Sequence, residues 1–153
     1  MSYSKNKKII LLFVILLAIW ILFLITSAPR RNAQIKQVEI AGKIIDVEVV
    51  SSPTDTYKGL SGRANLCATC GMLFDFPEKE VHAFVMRNMN FPLDIIFIAD
   101  NRITNIAENL EREGSSPKNS YLSSEPINKV LEVNANFCQE FQIKPGDLIK
   151  FIE

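Results

Sequence analysis

The sequence predicts a mainly β protein, a small β-sandwich, jelly-roll or barrel with one or two short helices, preceded by one N-terminal transmembrane helix. Three observations predict it. Residues 9–25 are apolar without interruption, a pattern that no soluble helix needs. The remainder falls into many short apolar or alternating runs at roughly regular spacing, separated by Gly, Pro, Asn, Asp and Ser. Helical periodicity survives in only one or two short stretches, which argues against alternating βαβ units.

The anchor comes first. A helix rises about 1.5 Å per residue, so residues 9–25 cover most of a hydrocarbon core of about 30 Å, and residues 26–28 add a turn. The rival reading is a cleaved secretory signal, since Lys5, Lys7 and Lys8 precede the run and Thr26-Ser27-Ala28 offers small residues before a cut. The apolar run exceeds the usual signal core, however, and Pro29 makes a poor cleavage junction. The expected organisation is a cytoplasmic basic tail (1–8), a transmembrane anchor (9–28), a linker (29–33) and one globular β domain (34–153). Lys5, Lys7 and Lys8 against Arg30 and Arg31 put the N-terminus inside, which places the domain outside the cytoplasm, tethered to the cell membrane. Cleavage would release it as a secreted protein.

Setting the first 31 residues apart exposes a charge that the neutral whole chain hides. They hold five of the 17 basic groups and none of the 17 acidic ones, so the domain carries 12 against 17, a net −5. An acidic domain is a poor match for a phosphate backbone, and nucleic acid is not an expected partner.

Within the domain, 34–40 and 43–50 read as a hairpin around Ala41-Gly42, the second strand alternating Ile45, Val47 and Val49 with Asp46 and Glu48. Ser52 or Thr54 caps a short helix through Tyr57 and Leu60, which Gly59 and Gly62 help to end. Further strands are expected at 72–76, 81–86, 94–99 and 102–107, the last two joined by a tight turn at Asp100-Asn101. Residues 108–120 are polar and aperiodic and read as a mobile loop. A short strand at 121–123, a better one at 130–133, a helix at 134–141 and a closing strand at 148–152 complete the chain.

Three elements bear chemistry. Cys67-Ala68-Thr69-Cys70 is a CxxC, but it precedes an expected strand instead of opening a helix, unlike a thioredoxin-type redox pair. Outside the cytoplasm a structural disulfide is favoured, and Cys67–Cys70, Cys67–Cys138 and Cys70–Cys138 all remain open, each leaving one thiol over. Cys67, Cys70 and His82, with Met72, Met86 and Met89, are soft or borderline ligands that would suit copper or zinc if they converged. Methionines on strands more often fill core gaps, and the single histidine is more often incidental than a ligand. Asp94 lies in an apolar run on the face of Ile96 and Ile98. If that face is the core it needs an ion-pair partner, with Arg63 or Arg87 nearest in type, or backbone N–H donors. No nucleophile elbow, phosphate-binding Gly-rich loop, HExxH helix or calcium loop is present in the sequence.

Six blocks together, Gly59-Leu60-Ser61-Gly62-Arg63, Gly71-Met72-Leu73-Phe74, Phe84-Val85-Met86-Arg87-Asn88-Met89, Pro92-Leu93-Asp94-Ile95-Ile96-Phe97-Ile98, Val130-Leu131-Glu132-Val133 and Gly146-Asp147, resemble the domain of unknown function 192 family, also called uncharacterised ACR. The resemblance runs from about residue 36 to the C-terminus. It implies a compact, mostly β domain, often exported or membrane-anchored, with no established activity, and it marks Arg63, Met86, Asn88, Pro92 and Asp94 as recurrent motif positions. The chain departs by placing the CxxC where relatives carry a polar, acidic turn, and Met89 where Thr is commoner.

The leading expectation is an extracytoplasmic binding module that offers a ligand pocket lined by Arg63, Met86, Asn88 and Asp94 to a small molecule or envelope protein. The second is a soft-metal or thiol redox protein using Cys67, Cys70 and His82. The third is an envelope hydrolase with Asp94 as acid or base beside a second carboxylate such as Glu108 or Glu132. No catalytic residue and no cofactor is assigned.

Overall fold

The computed structural model describes residues 36–153 together with Leu17 and Trp20. The anchor expected at 9–28 lies outside the described residues, and among those described no helix is long and apolar enough to cross a membrane.

The elements run β1 (Gln37–Ile40), β2 (Lys43–Val50), α1 (Pro53–Lys58), β3 (Cys70–Glu80), β4 (Ala83–Phe84), β5 (Leu93–Ala99), β6 (Arg102–Leu110), β7 (Tyr121–Leu122), β8 (Ile127–Asn134), α2 (Phe137–Glu140) and β9 (Ile149–Ile152). The described residues are mainly β, with 47% strand and two short helices among them. Seven strands form one sheet in the order β6-β5-β8-β3-β2-β1-β9, while β4 and β7 form a separate ribbon. The large sheet is a curled half-barrel in place of two facing sheets. Its two edge strands meet at one end. Ile103 N donates to Asp147 O at 3.0 Å, Gly146 N to Ile103 O at 2.8 Å and Ile149 N to Asn101 O at 2.8 Å.

Every other strand pair is antiparallel, but β2 and β3 are parallel. A parallel pair needs a long crossover, and residues 51–69 with α1 supply it. Ser52 caps α1 by accepting from Asp55 N at 3.1 Å, and Pro53 at the first turn loses no helical hydrogen bond there. The Ala41-Gly42 turn takes φ of 50° and 73°, as a two-residue hairpin loop requires. The strand expected at 81–86 shrinks to Ala83–Phe84, and the helix expected at 134–141 shrinks to four residues.

Both faces of the central strands are buried, which is why β5 reads as an unbroken apolar run. Ile96 and Ile98 pack with Val38, Ile40, Ile45, Leu73, Leu131, Val133 and Ile149 in one cluster, which draws on nearly every strand as the inside of a curl must. Leu93, Ile95 and Phe97 pack on the other face with Met72, Phe74, Met86 and Val130, under the covering segments that carry Leu60 and Met89. Gly71 sits where the sheet is tightest. A Cβ there would stand 2.9 Å from Leu131 Cδ1, 3.0 Å from Glu132 O and 3.4 Å from Ile45 Cγ2. Gly71→Ala is therefore expected to destabilise the fold by about 1–3 kcal/mol through overpacking, measurable by urea unfolding.

Candidate functional site

Asp94 is the most buried of the predicted site residues, with no exposure at all. Its partner is neither Arg63 nor Arg87. The β5–β6 register shifts between Leu93 and Ile95, and opposite that bulge Asn109 adopts φ 54°. A bulge strands a backbone N–H, and Asp94 Oδ1 accepts the one from Asn109 at 2.8 Å while Oδ2 accepts Cys138 N at 2.9 Å. Asp94 thus ties α2 to the sheet. Burial, reinforced by the adjacent Asp94 carboxylate, pushes the free Cys138 thiol up. It stays protonated and is no thiolate nucleophile or ligand.

Arg63 lies across the sheet from Asp94. Its Nη2 pairs with Glu48 Oε2 at 2.7 Å, and Glu48 alternates with Val47 and Val49, which pack on Asp94's side. Asn88 is exposed with φ 52°, and Met86 is buried in the second apolar cluster. The structure therefore does not gather Arg63, Met86, Asn88 and Asp94 into one pocket.

Two of those residues, Arg63 and Asn88, belong instead to a stitched pair of loops. Ser61 Oγ donates to Arg87 O at 2.7 Å, and Gly62 N to Asn88 O at 2.9 Å. Asn90 Nδ2 donates to Arg63 O at 2.9 Å, and Arg87 Nη2 to Tyr57 O at 3.1 Å. The Arg87 guanidinium also lies 3.9 Å over the Tyr57 ring. These contacts fix the end of α1 over the sheet. Gly59 closes the helix at φ 49°, a conformation that favours glycine, and it lies against Phe74 and Glu132, which a Cβ there would meet in ordinary contact at 3.5 and 3.9 Å.

Beneath this roof is a cavity of about 200 Å³, lined by Tyr57, Lys58, Gly59 and Leu60 above, by Phe74, Phe76 and Glu132 from the sheet, and by His82, Phe84, Arg87 and Met89 from the covering segment. Phe74 and Phe84 meet edge to face at 4.9 Å, and the His82 ring stacks on Phe76 at 3.8 Å. Glu132 is 5% exposed, and its Oε2, like His82 Nε2, is buried without a hydrogen-bond partner. Burial pushes the Glu132 carboxyl up to about 8. It also lowers the His82 imidazole, against a smaller opposing effect of Glu80. At neutral pH both groups are thus mostly uncharged.

Four of the six sequence blocks quoted above contribute to this cavity, through Gly59 to Ser61, Phe74, Phe84 to Met89, and Glu132. Sequence reasoning reached Glu132 only as a second carboxylate for Asp94, which faces the other way. The available signal was the same one that flagged Asp94, an acid within an apolar run on a strand.

Cys67 and Cys70 are bonded to one another at 1.99 Å. Bridged sulfurs are not thiolate ligands, and no group of three or more His, Cys, Asp or Glu poised to hold a metal occurs among the described residues. The bridge closes a very short loop, so its loss is expected to cost about 2 kcal/mol, seen as a lower urea midpoint for Cys67→Ser/Cys70→Ser with the β signal retained.

Two solved structures resemble the chain. A proposed transcription regulator from Sinorhizobium meliloti is 33% identical with a TM-score of 0.68, the match covering 75% of this chain and 90% of the other. A protein of unknown function from Novosphingobium aromaticivorans is 32% identical with a TM-score of 0.70, covering 80% and 89%. No curated protein matches. Residues 36–151, which hold all of the sheet but the last residue of β9 and every wall of the cavity, match the family described as uncharacterized ACR, and the chain belongs to this domain of unknown function 192 family.

Proposed function

We propose that the protein is a membrane-tethered extracytoplasmic binding module whose ligand occupies the cavity under α1. The carrying observation is a pair of buried, unpartnered polar atoms, Glu132 Oε2 and His82 Nε2, on two residues that line that one cavity. Buried polar groups are otherwise hydrogen-bonded almost without exception, so an apolar pocket with two of them idle suits a ligand that supplies the partners. The cavity calls for a small molecule, as 200 Å³ is the space of about six or seven waters. The tether rests on the apolar run at 9–25 and the basic residues before it.

A plug tests the pocket. Ala83 is exposed on β4 and lines the cavity wall outside both cores, so Ala83→Trp adds bulk at that wall. A small-molecule panel screened by thermal shift and native mass spectrometry should yield ligands that bind the wild type and lose at least tenfold in affinity with Ala83→Trp. Ligands indifferent to the plug would move the site elsewhere. Cleavage of the domain by protease added to intact spheroplasts checks the tether's orientation, and protection there would reverse it.

A further inference from the structure

The cavity's walls restrict what it can hold, and the inference drawn from them rests on the binding reading above. We propose that the ligand is a small primary ammonium ion, its charged head seated between Glu132 and His82 against the rings of Phe74, Phe76 and Phe84.

Each ligand class would need something different from these walls. An anion could pair with Lys58 or Arg87, but Lys58 is exposed, the Arg87 guanidinium is already engaged with the Tyr57 ring and carbonyl, and Glu132 would repel an anion once ionised. A polyol would need a directional partner for each hydroxyl, whereas the deep walls of Leu60, Phe74, Phe76, Phe84 and Met89 offer none. An ammonium group needs few partners and gains from ring faces as well as from a counter-ion. It brings N–H donors for both idle acceptors, Glu132 Oε2 and a neutral His82 Nε2.

Seating a cation beside Glu132 requires the carboxyl to lose its proton, so binding is linked to proton release. The charged or titratable groups that face Glu132 across the cavity are His82 beside β4, Tyr57 and Lys58 on α1, and Arg87 after β4. With the carboxyl at about 8, affinity should climb toward tenfold per pH unit below that point and level off above it.

The test uses the full chain in a mild non-ionic detergent, titrated calorimetrically with propylammonium, propan-1-ol and propionate into the millimolar range. A four-heavy-atom ligand reaches roughly −6 kcal/mol at best, so tens of micromolar is the tightest affinity to expect. The expected result is propylammonium binding with proton release at pH 7, at least tenfold tighter than the alcohol, and no heat from propionate. Glu132→Gln should abolish the proton release and lower affinity at least tenfold while its unfolding temperature does not fall. If the alcohol binds as well as the amine and Ala83→Trp removes both, the pocket stands and the ammonium assignment fails. If none of the three binds, the pocket reading falls with it.

Discussion

Replacing Asp94 by Ala is expected to destabilise the domain by about 3–5 kcal/mol, the largest loss of any single side chain considered. The carboxylate has no exposure and accepts two backbone N–H groups, at 2.8 Å from Asn109 and 2.9 Å from Cys138. Hydrogen bonds to a charged acceptor contribute about 1.5–3 kcal/mol each, and Ala leaves both donors without a partner. Water has no easy route to replace it, because Asp94 lies among Ile96, Ile98, Phe137 and Cys138. Asp94→Asn keeps one acceptor oxygen and should lose roughly half as much. Urea unfolding by far-UV circular dichroism measures both, and hydrogen exchange should show the Cys138 and Asn109 amides opening first. A cost under about 1 kcal/mol for Asp94→Ala would mean that α2 and the β6 bulge hold without it.

That residue also shows how far the sequence was legible. An acid in the run from Leu93 to Ile98 announces a buried carboxylate needing partners, and β5 alternation places it correctly with Ile96 and Ile98. Choosing the partner was beyond the sequence, because the Asn109 donor exists only through a one-residue bulge, and bulges follow from pairing register between strands. The strands themselves were legible wherever one face meets solvent, as in β2. The single curled sheet was not. The many short strands left a sandwich, jelly-roll or barrel open, and the short helix expected after Ser52 carried no signal that its connection is a parallel crossover from β2 to β3.

The same limit explains the site. Arg63, Met86, Asn88 and Asp94 form one group by residue type within the motif blocks, yet only Asp94 lies on a strand, and the face of β5 it shares with Ile96 and Ile98 is opposite the one that Met86 covers. The blocks do converge on one cavity, but through other members: Gly59, Phe74, Phe84, Arg87 and Glu132. Arg63 and Asn88 serve that cavity from outside, through backbone carbonyls that hold the two covering loops together. Such roles belong to the main chain and leave little trace in side-chain chemistry.

Glu132→Gln is expected to have the opposite effect from the Asp94 change, raising stability by about 3 kcal/mol at pH 7. The unfolded carboxyl titrates near 4.5 and the folded one at about 8. Between these values the folded chain keeps a proton that the unfolded chain has released. Stability therefore falls as pH rises, by about 1.4 kcal/mol per unit, until the carboxyl ionises in both states. His82 works in the other direction at lower pH. Its imidazole is held below 6.5 in the fold, so stability falls as pH drops through that range. The wild-type profile should thus be flattest where the two slopes overlap and decline from pH 6.5 to 8. His82 is common to both proteins, so the difference between them isolates Glu132: small near pH 5, growing through neutrality and constant above 8. Urea midpoints measured at unit pH steps give that difference directly. A carboxyl kept on a central strand at such a cost, where an amide is better tolerated, marks a position shaped by something other than folding. Parallel pH profiles for the two proteins would remove that argument, since Glu132 would then titrate in the fold as it does in the open chain.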